Sequence, residues 1–116
     1  MDGAEIDQLL AEYADAAVAH RTASRDGTPE VANGCYKRIR VVVRRIGEEP
    51  SAREAFLRLL DDERVEVRGW AATHALEFAP DRAAATLDAI AAGPTSLEEF
   101  SAQMVLREYR AGKRVG

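Results

Sequence analysis

The sequence predicts an all-α fold, an α-α superhelix of six helices in three antiparallel hairpins, and two observations support this prediction. First, apolar residues recur at helical i, i+3, i+4, i+7 spacing, and strand-like alternation is absent. Second, residues from Pro50 onward recur weakly thirty residues later. The matched pairs are Leu57 with Leu87, Leu60 with Ile90, Val67 with Leu97, Trp70 with Phe100, and Ala72 with Ala102. A fixed period of this length is typical of a solenoid that reuses one helical hairpin.

The first hairpin is expected over residues 3–47 of a single 116-residue domain. Its first helix is predicted from about Gly3 to His20, followed by a polar loop from Arg21 to Gly27. Thr28 is predicted to cap the second helix, with Pro29 at its first position, where the missing N–H costs nothing. The expected apolar face of the first helix is Ile6, Leu9, Leu10, Tyr13, Ala14 and Ala17. That of the second is Val31, Cys35, Ile39, Val42, Val43 and Ile46.

The other two hairpins are expected over residues 51–79 and 81–110, with a tail at 111–116. Ser51 and Glu54 form a predicted capping box for helix three, and Asp61 or Asp62 is expected to cap helix four, which runs to about Phe78. The predicted inward residues of helix three are Ala55, Phe56, Leu59 and Leu60.

Helix five is expected to begin at a capping Asp81 and to end at Gly93-Pro94. Ser96 and Glu99 form a second predicted capping box, which opens a helix six that runs through Arg110. The predicted inward residues of helix five are Ala84, Leu87, Ile90 and Ala91.

Composition excludes several classes of function. The net charge of -4 argues against broad nucleic-acid binding, which needs many cations. A single cysteine, Cys35, allows no internal disulfide, and the acidic N-terminus has no signal-peptide pattern, so a cytoplasmic protein is expected. Metal and nucleotide motifs are absent from the sequence, and no cofactor is predicted. His74 is expected to be a hydrogen-bonded, partly buried histidine and not a ligand.

The segment from Asp61 to Leu76 resembles the second-helix signature of HEAT (armadillo-like) repeats. The matching residues are Asp61, Asp62, Val67, Arg68, Ala71, Ala72, Ala75 and Leu76. The resemblance covers residues 51–110 as two repeats and 4–47 as a degenerate first repeat. The chain is similar to a small bacterial family of stand-alone HEAT-like domains with no assigned function. The resemblance implies that Arg68 is structural and bonds Asp61, Asp62 or a neighbouring carbonyl. It also permits a toxin-neutralising immunity protein.

The candidate binding surface combines one outward stripe from each second helix of a hairpin. In a superhelix these helices line the concave side, so the stripes would form one continuous surface. Its predicted members are Lys37, Arg40, Val41 and Arg44 with Arg38 and Arg45 alongside, then Glu66, Trp70, Thr73 and Glu77, then Phe100, Gln103 and Arg107. Three plainer alternatives remain open. Trp70 packs under a hairpin or loop, Phe100 shelters the edge of the terminal helix, and the cations are a solvated face balanced by acids of helix one.

Three function classes follow. The favoured one is a non-catalytic protein-binding module, with Trp70 as anchor and Arg40 and Arg44 as steering charges. The alternative is nucleic-acid binding through the basic residues of helix two. An enzyme is least supported, because no acid, base and nucleophile converge in the pattern. A homodimer through helix six is a further prediction, since that helix carries apolar residues on two sides.

Overall fold

The computed structural model describes residues 1–93 and 97–112, which form six α-helices and one 3-10 turn, with no β-strand in these ranges. The helices are α1 (Gly3–Asp26), α2 (Pro29–Gly47), α3 (Pro50–Phe56), α4 (Val65–Ala75), α5 (Pro80–Ala91) and α6 (Leu97–Arg110). The 3-10 turn spans Leu57–Asp61 and follows α3 directly. The all-helical class and the six-helix pattern predicted from the sequence are therefore confirmed. The predictions at Pro94, at Ser96 and in the tail beyond Gly112 lie outside the described residues.

The chain divides into two compact units, residues 1–59 and residues 60–116. In the first unit α1 packs along α2, and α3 contacts both helices. In the second unit α4, α5 and α6 all contact one another.

The core of the first unit is made of large side chains. All six residues predicted for the apolar face of α1 are buried. Tyr13 and Phe56, both nearly inaccessible, pack edge to face with ring centroids 5.0 Å apart. Burial raises the pKa of the Tyr13 phenol well above its ordinary value, because the phenolate would lose its hydration. Leu59 is buried as predicted, whereas Ala55 is half-buried. Leu60, the first residue of the second unit, is also buried as predicted.

The first helix is longer than predicted, because the segment 21–26 is helical and not a loop. Ala23 lies one more turn along the buried side and is itself buried, so packing extends the helix past its polar residues. Gly27, with a φ of 71°, ends it in the left-handed conformation that favours glycine. Thr28 is the N-cap of α2 as predicted, but its hydroxyl does not cap the helix. It donates instead to the Ala23 carbonyl at 3.1 Å.

On α2 the buried stripe is mostly the predicted one. Ile39, Val42, Ile46 and the Cys35 thiol are buried. Val31 was predicted to be buried and is 56% exposed, because no described element covers the first turn of the helix on that side. Val43 is half-buried.

The predicted caps at Ser51 and Asp81 are wrong. The prolines that precede them, Pro50 and Pro80, occupy the first helical position, so the N-caps are Glu49 and Ala79, two residues earlier than predicted. Proline suits this position because its φ is already helical and its missing N–H is not needed there. Ser51 and Asp81 therefore lie inside the first turn of α3 and α5.

The core of the second unit combines alanines with larger aliphatic side chains. Ala71, Ala72, Ala75 and Ala83 are completely inaccessible, and Val67 and Leu87 fill the space between them. Ala84 and Ala91, predicted to face inward on α5, are only half-buried, whereas Ile90 is buried as predicted. Helix α4 ends at Ala75 and not near Phe78. A turn follows, in which the Ala79 amide donates to the Ala75 carbonyl at 2.7 Å.

Candidate protein-binding surfaces

The outer face of α2 is exposed along its whole predicted length. Because the buried stripe occupies one side of the helix, residues at 37, 40, 41 and 44 project from the opposite side. Lys37, Arg40 and Arg44 are exposed, and Val41 lies among them with 57% of its surface accessible. Arg38 and Arg45 are exposed next to this row. We call these six residues the basic face of α2.

Most cations of the basic face have no acidic partner within the described part of the chain. Lys37, Arg38, Arg44 and Arg45 make no ion pair there with the acids of α1. The predicted balance of these four cations by acids of helix one is therefore not seen among the described residues. The result is a concentrated positive charge with an aliphatic side chain inside it.

The stripe predicted on α4 is only partly exposed. Trp70 is half-buried, and its indole stacks on the imidazole of His74, one turn further on, with centroids 5.8 Å apart and planes 22° apart. His74 itself is buried, with 6% of its surface accessible, and not partly buried as predicted. Thr73 directs its hydroxyl to the Gly69 carbonyl at 2.8 Å, within its own helix. Glu77 is exposed, in the turn that follows α4.

Phe100 on α6 is clearly exposed, at 59%. It does not shelter the edge of the helix, which was the alternative expectation. Met104 and Arg107 lie on the same side at helical spacing and are also exposed. Gln103, on that side too, donates its amide to the Ala91 carbonyl at 3.3 Å.

The polar residues that begin α4 form a local hydrogen-bond cluster. The Asp62 carboxylate accepts from the backbone N–H and the Nε of Arg64, both at 2.9 Å. These bonds, the side-chain bond above all, lower the pKa of Asp62 from its ordinary value. The N-cap of α4 is Arg64, so Asp62 acts just before the helix and not at the cap. Asp61 is not the cap either, because that position is Arg64. The exposed Asp61 carboxylate lies 4.0 Å from Arg82.

Arg68 makes one of the contacts expected for it. Its Nη1 donates to the carbonyls of Asp62 at 2.7 Å and Glu63 at 3.0 Å. A charged donor on two carbonyls fixes the chain that leads into α4. Arg68 also lines an open groove with Asp61 and Thr86, above the apolar Leu60 and Ile90. Sequence reasoning missed this groove, because Thr86 and its alanine neighbours give no distinctive pattern.

The predicted surface involves residues of both units. The basic face of α2 belongs to the first unit, and Trp70, Thr73, Glu77, Phe100 and Arg107 belong to the second. One continuous concave surface stays a prediction.

Within 1–93 and 97–112, no three His, Cys, Asp or Glu side chains are grouped so that they could hold a metal ion. None of the described helices combines the length and the apolar character that crossing a bilayer requires.

The class of protein defined by this geometry is an all-helical protein with an exposed basic face and an exposed aromatic side chain. Comparison with known protein families, with curated proteins and with solved structures gives no match to the chain.

Proposed function

We propose that this protein is a non-catalytic protein-binding module whose main contact surface is the basic face of α2. The observation that carries the proposal is the exposure of Val41 among exposed cations. An aliphatic side chain gains free energy when a partner covers it, and arginine is enriched in protein interfaces. Together they favour a partner that presents both acidic and apolar groups.

A second contact is proposed at Phe100 on α6, together with Arg107 two helical turns further along. Aromatic and arginine side chains contribute most of the binding energy in many interfaces. Trp70 is a weaker anchor than the sequence suggested, because part of its ring already stacks on His74.

We also propose that residues 51–110 are two HEAT-like repeats. Support comes from Arg68, whose guanidinium bonds the carbonyls that precede α4, as the resemblance leads one to expect. A cytoplasmic immunity protein that neutralises a toxin is one concrete form of this proposal.

Nucleic-acid binding is the second candidate. It is favoured by five cations within nine residues of α2, Lys37 to Arg45, all of them exposed. The net charge of -4 weighs against it, as does the exposed Val41 in the middle of the cations. Phosphate contacts would make the affinity fall steeply with salt.

Affinity capture from the source cell's lysate tests both candidates, with proteins identified by mass spectrometry and nucleic acid by staining. Three baits are compared: the wild type, a Val41→Asp/Arg44→Glu variant, and an Arg25→Glu control. Arg25 is an exposed cation of α1 outside the proposed surface. One protein that is retained by the wild type and the control, and lost by the double variant, supports protein binding.

Two other results decide against that proposal. Nucleic acid that is retained by the wild type and released by moderate salt would favour the second candidate. Equal retention of every species by all three baits would contradict any role of the α2 face. A Phe100→Ala bait tests the second contact in the same way.

A further inference from the structure

The two long helices of the first unit carry opposite charge. Between its first and last residues α1 has five acids and two bases, whereas α2 has one acid and five bases. The acids Glu5, Glu12 and Asp15 are exposed, as are the cations of α2. One protein unit therefore presents an acidic surface and a basic surface on neighbouring helices.

The acids on α1 are as poorly paired as the cations on α2. Asp7 bonds Arg58 at 3.3 Å, and so it is excluded from the argument. Glu5, Glu12 and Asp15 make no ion pair within the described part of the chain. Both surfaces thus keep charge that an external partner of opposite sign would neutralise.

The spacing of the charges matches between the two helices. Glu5 and Glu12 are seven residues apart, as are Arg38 and Arg45. Seven residues are two helical turns, about 10.5 Å along the axis. Each pair lies on one side of its helix, so two acids of one helix meet two arginines of another when the helices lie side by side.

The side chains next to these charges are small enough for two helices to pack closely. Ala4 and Ala11 are exposed on α1. On α2 the exposed residues in the same helical row as Arg38 and Arg45 are Gly34 and Val41, and a Cβ added at Gly34 would meet nothing within 4 Å. A glycine inside a helix costs about 1 kcal/mol relative to alanine, and no contact within the described chain accounts for this one.

We propose that the partner of the basic face of α2 is a second copy of this chain, which places its α1 acids against that face. The contact occurs twice about a two-fold axis, as in isologous dimers, because each copy has both surfaces. The inference rests on the proposed function, since it names the partner of the same face. It differs from the predicted dimer through helix six, which would use Phe100 and its neighbours.

Analytical ultracentrifugation of the whole chain, from low to high micromolar concentration, tests the dimer. At about 0.1 M NaCl a concentration-dependent dimer is expected, with a dissociation constant at least about tenfold higher at 1 M, where the Debye length falls to about 3 Å. Two variants, Glu5→Lys/Glu12→Lys and Arg38→Glu/Arg45→Glu, are each expected to be monomeric, because every α1–α2 contact between identical copies becomes repulsive.

An equimolar mixture of these two variants is the decisive sample. In the mixed dimer one contact joins the natural acids of one copy to the natural arginines of the other. The second contact joins the introduced lysines to the introduced glutamates, so both contacts attract. Recovery of a dimer only in the mixture supports the inference, and it also shows that both variants are folded. Monomers in the mixture, or a wild type that stays monomeric throughout, would overturn it.

A Phe100→Ser variant separates this dimer from the one predicted through helix six. Loss of the dimer in that variant, with the charge variants still dimeric, overturns the α1–α2 contact. The capture experiment is independent. A monomeric wild type whose α2 face still retains another protein overturns this inference and leaves the proposed function standing. A charge-dependent dimer that captures no other protein supports the inference by itself.

Discussion

The two units of this protein differ in the rings that they bury. Among the described residues only the first unit buries tyrosine and phenylalanine, whereas both units bury alanines and aliphatic side chains. In the first, two long helices and α3 surround large residues such as Tyr13, Phe56 and Ile39. In the second, alanines of α4 and α5 are completely inaccessible, and polar side chains such as Asp62 and Arg68 fix the segment before α4.

The difference teaches that buried positions on similar helices can depend on opposite properties of the side chain. Large side chains contribute free energy by the area they remove from water, so shortening them leaves a cavity. Small side chains contribute by letting backbones approach, so enlarging them forces the helices apart. The buried rings of the first unit should therefore be sensitive to truncation, and the inaccessible alanines of the second unit to enlargement.

The largest expected effect is that of Phe56→Ala in the first unit. Removing a ring that packs edge to face on Tyr13 should lower the free energy of unfolding by about 3–5 kcal/mol. Urea unfolding followed by circular dichroism measures it. The matched control is Phe100→Ala, whose exposed ring should cost less than about 1 kcal/mol. Equal losses in the two variants would contradict the assignment of the core.

The next effect is that of Ala75→Leu in the second unit. The position is inaccessible, so three extra carbons should destabilise the protein by about 1–3 kcal/mol. Ala89→Leu, an exposed position on α5, makes the same change without a steric conflict. If both variants unfold at the wild-type urea concentration, the small-residue packing of this unit is not tight.

A smaller effect is expected from Asp62→Asn, and it depends on pH. The pKa of Asp62 is lowered in the folded state, so the unfolded state binds its proton more readily. The stabilisation is complete above the ordinary pKa of 3.8 and is lost as the pH falls through the lower folded value. At neutral pH the variant should lose about 1 kcal/mol, and its stability should depend less on pH in the acid range.

Urea midpoints between about pH 2 and pH 6 measure this dependence. Asp61→Asn serves as control, because it leaves the Arg64 contacts of Asp62 in place. A steeper acid loss in Asp62→Asn than in the wild type would show that the carboxylate does not stabilise this segment.

The smallest expected effect is a gain. Gly34→Ala should stabilise the protein by about 0.5–1 kcal/mol, because alanine favours the helix and its Cβ meets open space. Unfolding in about 1 M NaCl removes any contribution from the proposed dimer. Gly27→Ala should have the opposite sign, since the φ of 71° there strains any residue with a Cβ. A loss of stability at Gly34 would mean that its neighbourhood is not open.

The candidate surfaces were predictable where helical spacing alone decides exposure. On α2 the buried stripe Cys35, Ile39, Val42 and Ile46 leaves the cations on the opposite side, and the structure has them there. Trp70 was less predictable. Its position on the helix is right, but its half-burial and its stacking on His74 depend on what packs next to α4.

The sequence by itself determined the all-helical class, the starts of α1 and α2, and the main buried stripes. These follow from periodicity and from proline at the first helical position, both of which act over one or two turns. Only the tertiary structure decided that α1 continues through Ala23 to Asp26, that Val31 is exposed, and that α4 ends at Ala75. Each of these depends on whether another element covers a given turn, and a local pattern contains no information about distant neighbours.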